Sequence, residues 1–131
     1  VSGHGAIKAM LGAPGVVALV GQRVYFDVMA DNSLLPALTI QKLGGDSARG
    51  AQKNPGLDSA QFQVSTWAKS RVETVIISSQ VRKAIDRVRE LVIDGTLVND
   101  CFYEGDVDLY DSETKIFFNQ MTFNIHYRDP V

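Results

Sequence analysis

Five acidic side chains, Glu104, Asp106, Asp108, Asp111 and Glu113, crowd one short stretch of this chain, and Lys115 follows them. In an extended backbone Asp106 and Asp108 point to the same face. Glu113-Thr114-Lys115 has the spacing of a magnesium-dependent nuclease, in which carboxylates hold the ion and a lysine stabilises developing charge. Asp108, Glu113 and Lys115 would carry that chemistry. A turn at Asp111-Ser112-Glu113-Thr114 leaves the geometry between Asp108 and Glu113 open, and carboxylates in turns are most often simply solvated. Other chemistry finds less support. His4 and His126 stand far apart, with no companion at ligand spacing. Cys101 is flanked by Asp100 and Glu104, which raise a thiol pKa, so a structural thiol is expected. Gly12-Ala13-Pro14-Gly15 lacks the Lys-Ser/Thr that follows a phosphate loop, and no G-x-S-x-G elbow occurs. The residues call for no cofactor.

The elements that must position these side chains are organised around Ala60 to Leu91. Phe62, Val64, Thr66 and Ala68 alternate with Gln61, Gln63, Ser65 and Trp67, the pattern of a strand. Ser70 and Glu73 form a capping box, each side chain serving the other residue's amide. From there Ile77, Val81, Ala84, Ile85, Val88, Leu91 and Val92 recur at helical spacing, which predicts one long helix closed by Asp94-Gly95. At about 100° per residue, Val72, Val75 and Ile76 fall outside that stripe, as a second apolar patch in the first two turns. A loop of the same chain and a contact between subunits explain the patch equally well.

Residues 5 to 11 suit a short helix, broken at Gly12-Ala13-Pro14-Gly15. Val16 to Val20 suits a further turn closed by Gly21. Arg23 to Val28 reads as a strand with Val24, Phe26 and Val28 on one face, and Asp31-Asn32-Ser33 as a turn. A second strand follows from Ala37 to Leu43, with Pro36 at its start. Gly44 to Gly56, rich in glycine and carrying Asp46, Arg49 and Lys53, reads as a long flexible hairpin loop, functional or merely permissive. Leu97 to Tyr103 and Val107 to Tyr110 are strand pieces broken at Glu104-Gly105-Asp106. Phe117, Asn119, Met121, Phe123, Ile125 and Tyr127 line one face of the last strand. The expected fold is α+β, in the order αβββαβββ. It is an antiparallel or mixed sheet of five to six strands, with two helices packed on one face.

Length and composition set the frame. A chain of 131 residues, 45% hydrophobic and 21% charged, is expected to make one globular domain over 1–131. The net charge of −2 gives no basic surplus for binding nucleic acid or acidic membranes. With one cysteine no internal disulfide can form, so a reducing compartment is expected, with cytosolic synthesis and no secretory signal.

Several segments, in order, resemble the tail completion, or tail terminator, proteins of long-tailed bacteriophages. Val17-Ala18-Leu19-Val20 leads into Gly21-Gln22-Arg23-Val24-Tyr25, similar to the family's Leu-Val-Gly-x-Arg approach to a first strand. Leu35-Pro36-Ala37-Leu38-Thr39-Ile40-Gln41 resembles its second strand, though many relatives carry aromatic residues where Thr39-Ile40 stands. Phe62 to Ala68, then a long helix with Val81-Arg82-Lys83-Ala84-Ile85, is the most characteristic part. Asp108-Leu109-Tyr110-Asp111-Ser112-Glu113-Thr114 before a Phe/Met/Phe/Ile strand completes the match. The resemblance implies no catalytic residue. It implies a structural virion protein, a hexameric ring on the tail tube protein that ends tail polymerisation and joins the tail to a neck, stopper or connector protein. DNA would pass through its lumen without specific binding. A head-completion adaptor or stopper is the alternative within the class. The implied site is the head–tail junction of the virion, reached from the host cytoplasm. Val72, Val75 and Ile76 are then candidates for the subunit interface, and Asp46, Arg49 and Lys53 for a loop docking to tube or neck.

Overall fold

The computed structural model describes residues 3–29, 34–47, 57–86, 88–93 and 96–128. Two short helices, α1 (Gly3–Met10) and α2 (Pro14–Val20), precede strands β1 (Val24–Phe26), β2 (Ala37–Ser47) and β3 (Leu57–Ala68). Helix α3 (Arg71–Ile85) follows, then β4 (Arg89–Ile93), β5 (Thr96–Asp111) and β6 (Ile116–Arg128). All six strands form one sheet in the order β1-β2-β3-β6-β5-β4, in which only the β1–β2 pair is parallel. The fold is α+β with a mixed sheet, as expected.

The alternation in β3 and β6 decides which face is covered. Phe62 sits opposite Phe123, Val64 opposite Met121 and Ala60 opposite Ile125, and all six are buried. Ile7, Val16, Val20, Ile77, Val81 and Ile85 of the helices, with Leu11 just after α1, pack on that face in one core. The other face carries no helix among the described residues. It presents Gln61, Gln63, Gln120, Thr122 and Asn124, with Trp67 stacked on Phe118 at 4.4 Å. Trp67 donates its indole N–H to Thr39 Oγ1 at 3.0 Å, so the half-buried polar tip is satisfied.

Several expectations change. The described residues form three helices, not two, because Pro14 at the first turn and Gly21 at the end make Pro14–Val20 a helix of its own. Helix α3 stops at Ile85, well short of Asp94-Gly95, and those two residues lie outside the described ones. Asp86 is already extended, at φ −62° and ψ 132°, and its carboxylate accepts the amide of Tyr103 at 3.0 Å. Residues 89–93 pair with β5 instead. The apolar spacing of Val88, Leu91 and Val92 suits a helix equally. Two of the three are β-branched, however, and the segment satisfies an otherwise open strand edge.

The break at Glu104-Gly105-Asp106 is a register shift inside one continuous strand. Gly105, at φ 142°, occupies backbone space that costs other residues strain. Strand β2 passes a shift at Lys42/Gly44 and stays paired to Ser47, so 44–47 belong to the sheet rather than to a loop. Asp46 is in register with Ser59 in that ladder. Arg49, Lys53 and the Asp31-Asn32-Ser33 turn lie outside the described residues.

Candidate functional site

The first turn of α3 is built by its cap. The amide of Glu73 donates to Ser70 Oγ at 3.2 Å, while Glu73 Oε1 accepts from the amide of Lys69 at 3.3 Å, one residue earlier than a strict capping box. This start sets the helix rotation. Thr74, Ile77, Ser78, Val81 and Ile85 turn inward, which leaves Val72, Val75 and Ile76 outward at 69%, 55% and 50% exposure. Val72 and Ile76 also line a shallow groove of about 360 Å³ completed by Leu19 and Pro36. The patch expected from helical spacing is therefore exposed, and no described loop covers it.

Arg71 is a hub that sequence spacing does not announce. Its guanidinium donates to Asp108 Oδ1 at 3.0 Å, to the Leu109 carbonyl at 2.7 Å and to the Phe118 carbonyl at 3.3 Å. It also lies over the Phe117 ring at 5.3 Å. One side chain thus ties the start of α3 to the β5–β6 hairpin, with partners 37 to 47 residues away. That separation is why no local pattern points to it.

Asp106 and Asp108 of the acidic stretch are committed to structure. Asn119 Nδ2 donates to Asp106 Oδ2 at 2.7 Å and to Asp108 Oδ1 at 2.8 Å, so the two carboxylates do share a face. The Tyr103 hydroxyl donates to Asp106. That hydrogen bond, then the one from Asn119, holds the Asp106 carboxyl below the usual range, and the same Tyr103–Asp106 bond pushes the Tyr103 phenol up. Arg82 stacks over Tyr103 at 3.8 Å and pairs with Asp86 at 3.6 Å. Glu113 and Lys115 lie at the β5–β6 turn, beyond Asp111. Roughly three residues of strand, about 10 Å, separate Asp108 from that turn. The nuclease trio is not brought together. Among the described residues, no three His, Cys, Asp or Glu side chains could hold a metal ion.

The remaining candidates are packed or paired. His4 is edge-on to Phe62 and Phe26, with ring centroids 5.1 and 5.7 Å away. His126 Nδ1 lies 2.6 Å from Asp100 Oδ1. Cys101 is buried, and desolvation, then the charges of Asp100 and Asp86, push its thiol up to about 12. Asp86, not Glu104, is thus the second acid acting on it. The folded state holds this proton more tightly than the unfolded chain, whose thiol ionises near 9.0. Stability is therefore expected to fall as pH rises from about 9 towards 12. Denaturant midpoints across that range check this against Cys101→Ala, in which the part due to the thiol is absent.

The described side chains thus serve packing, capping and outward apolar patches on α3 and β5. The fold matches that of a chain in a solved structure titled "Virion of native gene transfer agent (GTA) particle", with a TM-score of 0.71 at 17% identity, over 93% of this chain and 91% of that one. No curated protein matches the chain. The family model for tail completion protein gp17 matches residues 5–128. The chain belongs to that family, the tail completion proteins of bacteriophage virions.

Proposed function

We propose that this protein closes the phage tail tube as a ring of identical subunits, hexameric in number, which ends tube polymerisation and joins the tail to the neck. The observation that carries the reading is the outward stripe Val72, Val75 and Ile76 on a rigid, capped helix, in a chain that belongs to the tail completion family. An apolar patch is costly in water unless something covers it. Copies meeting head to tail through two different patches close into a ring when the rotation fits.

The tail tube protein lies on one side of this ring and a neck, stopper or connector protein on the other, at the head–tail junction. Asp46, Arg49 and Lys53 dock to one of them. DNA passes through the lumen, and a net charge of −2 keeps its phosphates from being held. Assembly takes place in the host cytoplasm before the tail meets the head.

The reading is tested by adding purified protein to polymerising tube subunits and measuring tube lengths by electron microscopy. Lengths that stop increasing, with extra density at one tube end, are expected. Tubes that grow as if nothing had been added would overturn the capping role.

A further inference from the structure

Resting on that ring reading, we infer that the partner of the α3 stripe is the acidic β5 edge of a second copy of this chain. The stripe is longer than its apolar part. Val72, Val75, Ile76, Ser79 and Lys83 recur at i, i+3, i+4, i+7 and i+11, and all five are exposed. Lys69 precedes the helix and is exposed. Among the described residues neither lysine has an ion-pair partner, whereas Arg71 and Arg82 are engaged by Asp108 and Asp86.

Strand β5 offers the complement. From Asp100 to Glu113 the chain holds Asp100, Glu104, Asp106, Asp108, Asp111 and Glu113, with no lysine or arginine. Val107 and Leu109 are exposed and share the uncovered sheet face with Gln120 and Phe118, whereas Asp106 and Asp108 alternate to the covered face. The acidic flanks of this surface are therefore Glu104, which accepts from Gln61 Nε2 at 2.9 Å, and Asp111 and Glu113 at the hairpin end. One surface is apolar with basic flanks, the other apolar with acidic flanks. Within a single subunit they cannot meet, because α3 packs on the covered face of the sheet with its stripe turned away. Two different patches on opposite sides make a head-to-tail contact, the kind that closes into rings.

Backbone pairing does not supply the contact. The amide of Tyr103 is already taken by Asp86 and the carbonyl of Leu109 by Arg71, and the register shift at Tyr103/Gly105 interrupts the edge. These are devices that blunt a strand edge. Side chains must therefore carry the recognition. Charge complementarity of this kind sets register and suppresses wrong partners.

The test uses two charge-reversed full-length proteins, Lys69→Glu/Lys83→Glu on α3 and Glu104→Lys/Glu113→Lys on β5. Each is mixed with purified tail tube, and ring formation is measured by native mass and microscopy. Each variant alone places like charges at every junction, and the concentration needed for assembly is expected to rise about tenfold or more. A one-to-one mixture restores opposite charges at every junction of an alternating ring, so assembly returns to within about threefold of wild type. Rescue by mixing cannot come from misfolded chains. Variants that assemble like wild type, or a mixture that stays disassembled, would overturn this pairing while the ring stands. A wild-type protein that makes no ring on the tube would overturn the ring reading itself.

Discussion

Val75→Asp leaves a folded monomer that no longer assembles into rings. Val75 is half exposed on the outer side of α3 and contributes nothing to the core. Valine and aspartate have similar, modest helix propensities. The free subunit should therefore keep its stability to within about 0.5 kcal/mol, the usual range for surface changes. In the ring the same carboxylate would be buried among apolar side chains without a partner, which is costly. A central interface residue of this kind is worth about 2 kcal/mol or more, roughly thirtyfold in affinity, and a ring repeats the loss at each junction. Circular dichroism of the monomer and native mass of the assembly separate the two effects. Undiminished rings would remove the stripe from the interface, and a lost circular dichroism signal would make it a folding patch.

Phe62→Ala has the opposite signature: it destabilises the domain and touches assembly only through folding. Phe62 is fully buried at the middle of β3, opposite Phe123 in the ladder and with the His4 ring edge-on at 5.1 Å. Removing the ring leaves a cavity that flanking strands cannot close. The expected cost is about 3–5 kcal/mol, a large share of the roughly 5–15 kcal/mol that holds a typical domain. The melting temperature should drop by on the order of 10 °C or more. A denaturant midpoint within about 0.5 kcal/mol of wild type would show that β3 is not the centre of the core.

Much of this was legible in the chain where local periodicity and burial agree. The alternation of Phe62, Val64, Thr66 and Ala68, and that of Asn119 to Tyr127, marks the covered face correctly because these strands pair with each other in the sheet centre. The outward position of Val72, Val75 and Ile76 followed from rotation alone, since α3 is regular and well capped. The helix end was not legible. Val88, Leu91 and Val92 continue the helical spacing of Ile77 to Ile85, and only the need of β5 for an edge partner turns Leu91 and Val92 into a strand. Gly105 suggested a break because a glycine bulge and a turn have the same local composition. Arg71 stayed hidden for another reason: each of its partners on the β5–β6 hairpin comes from far along the chain. The acidic stretch suggested a metal site, but Tyr103, Asn119 and Arg71 engage two of its carboxylates, and their positions emerge only with the sheet register. The family itself was legible in the order of several weak segments, none of them specific alone.

The capping role is tested most directly by negative-stain microscopy of particles made when this gene is inactivated in its phage. Tails of irregular, overgrown length lying apart from DNA-filled heads are the expected result, because nothing then stops the tube or offers the neck a surface. Tails of normal length that fail to join heads would contradict termination and place the protein in the neck. Intact virions would contradict the whole account.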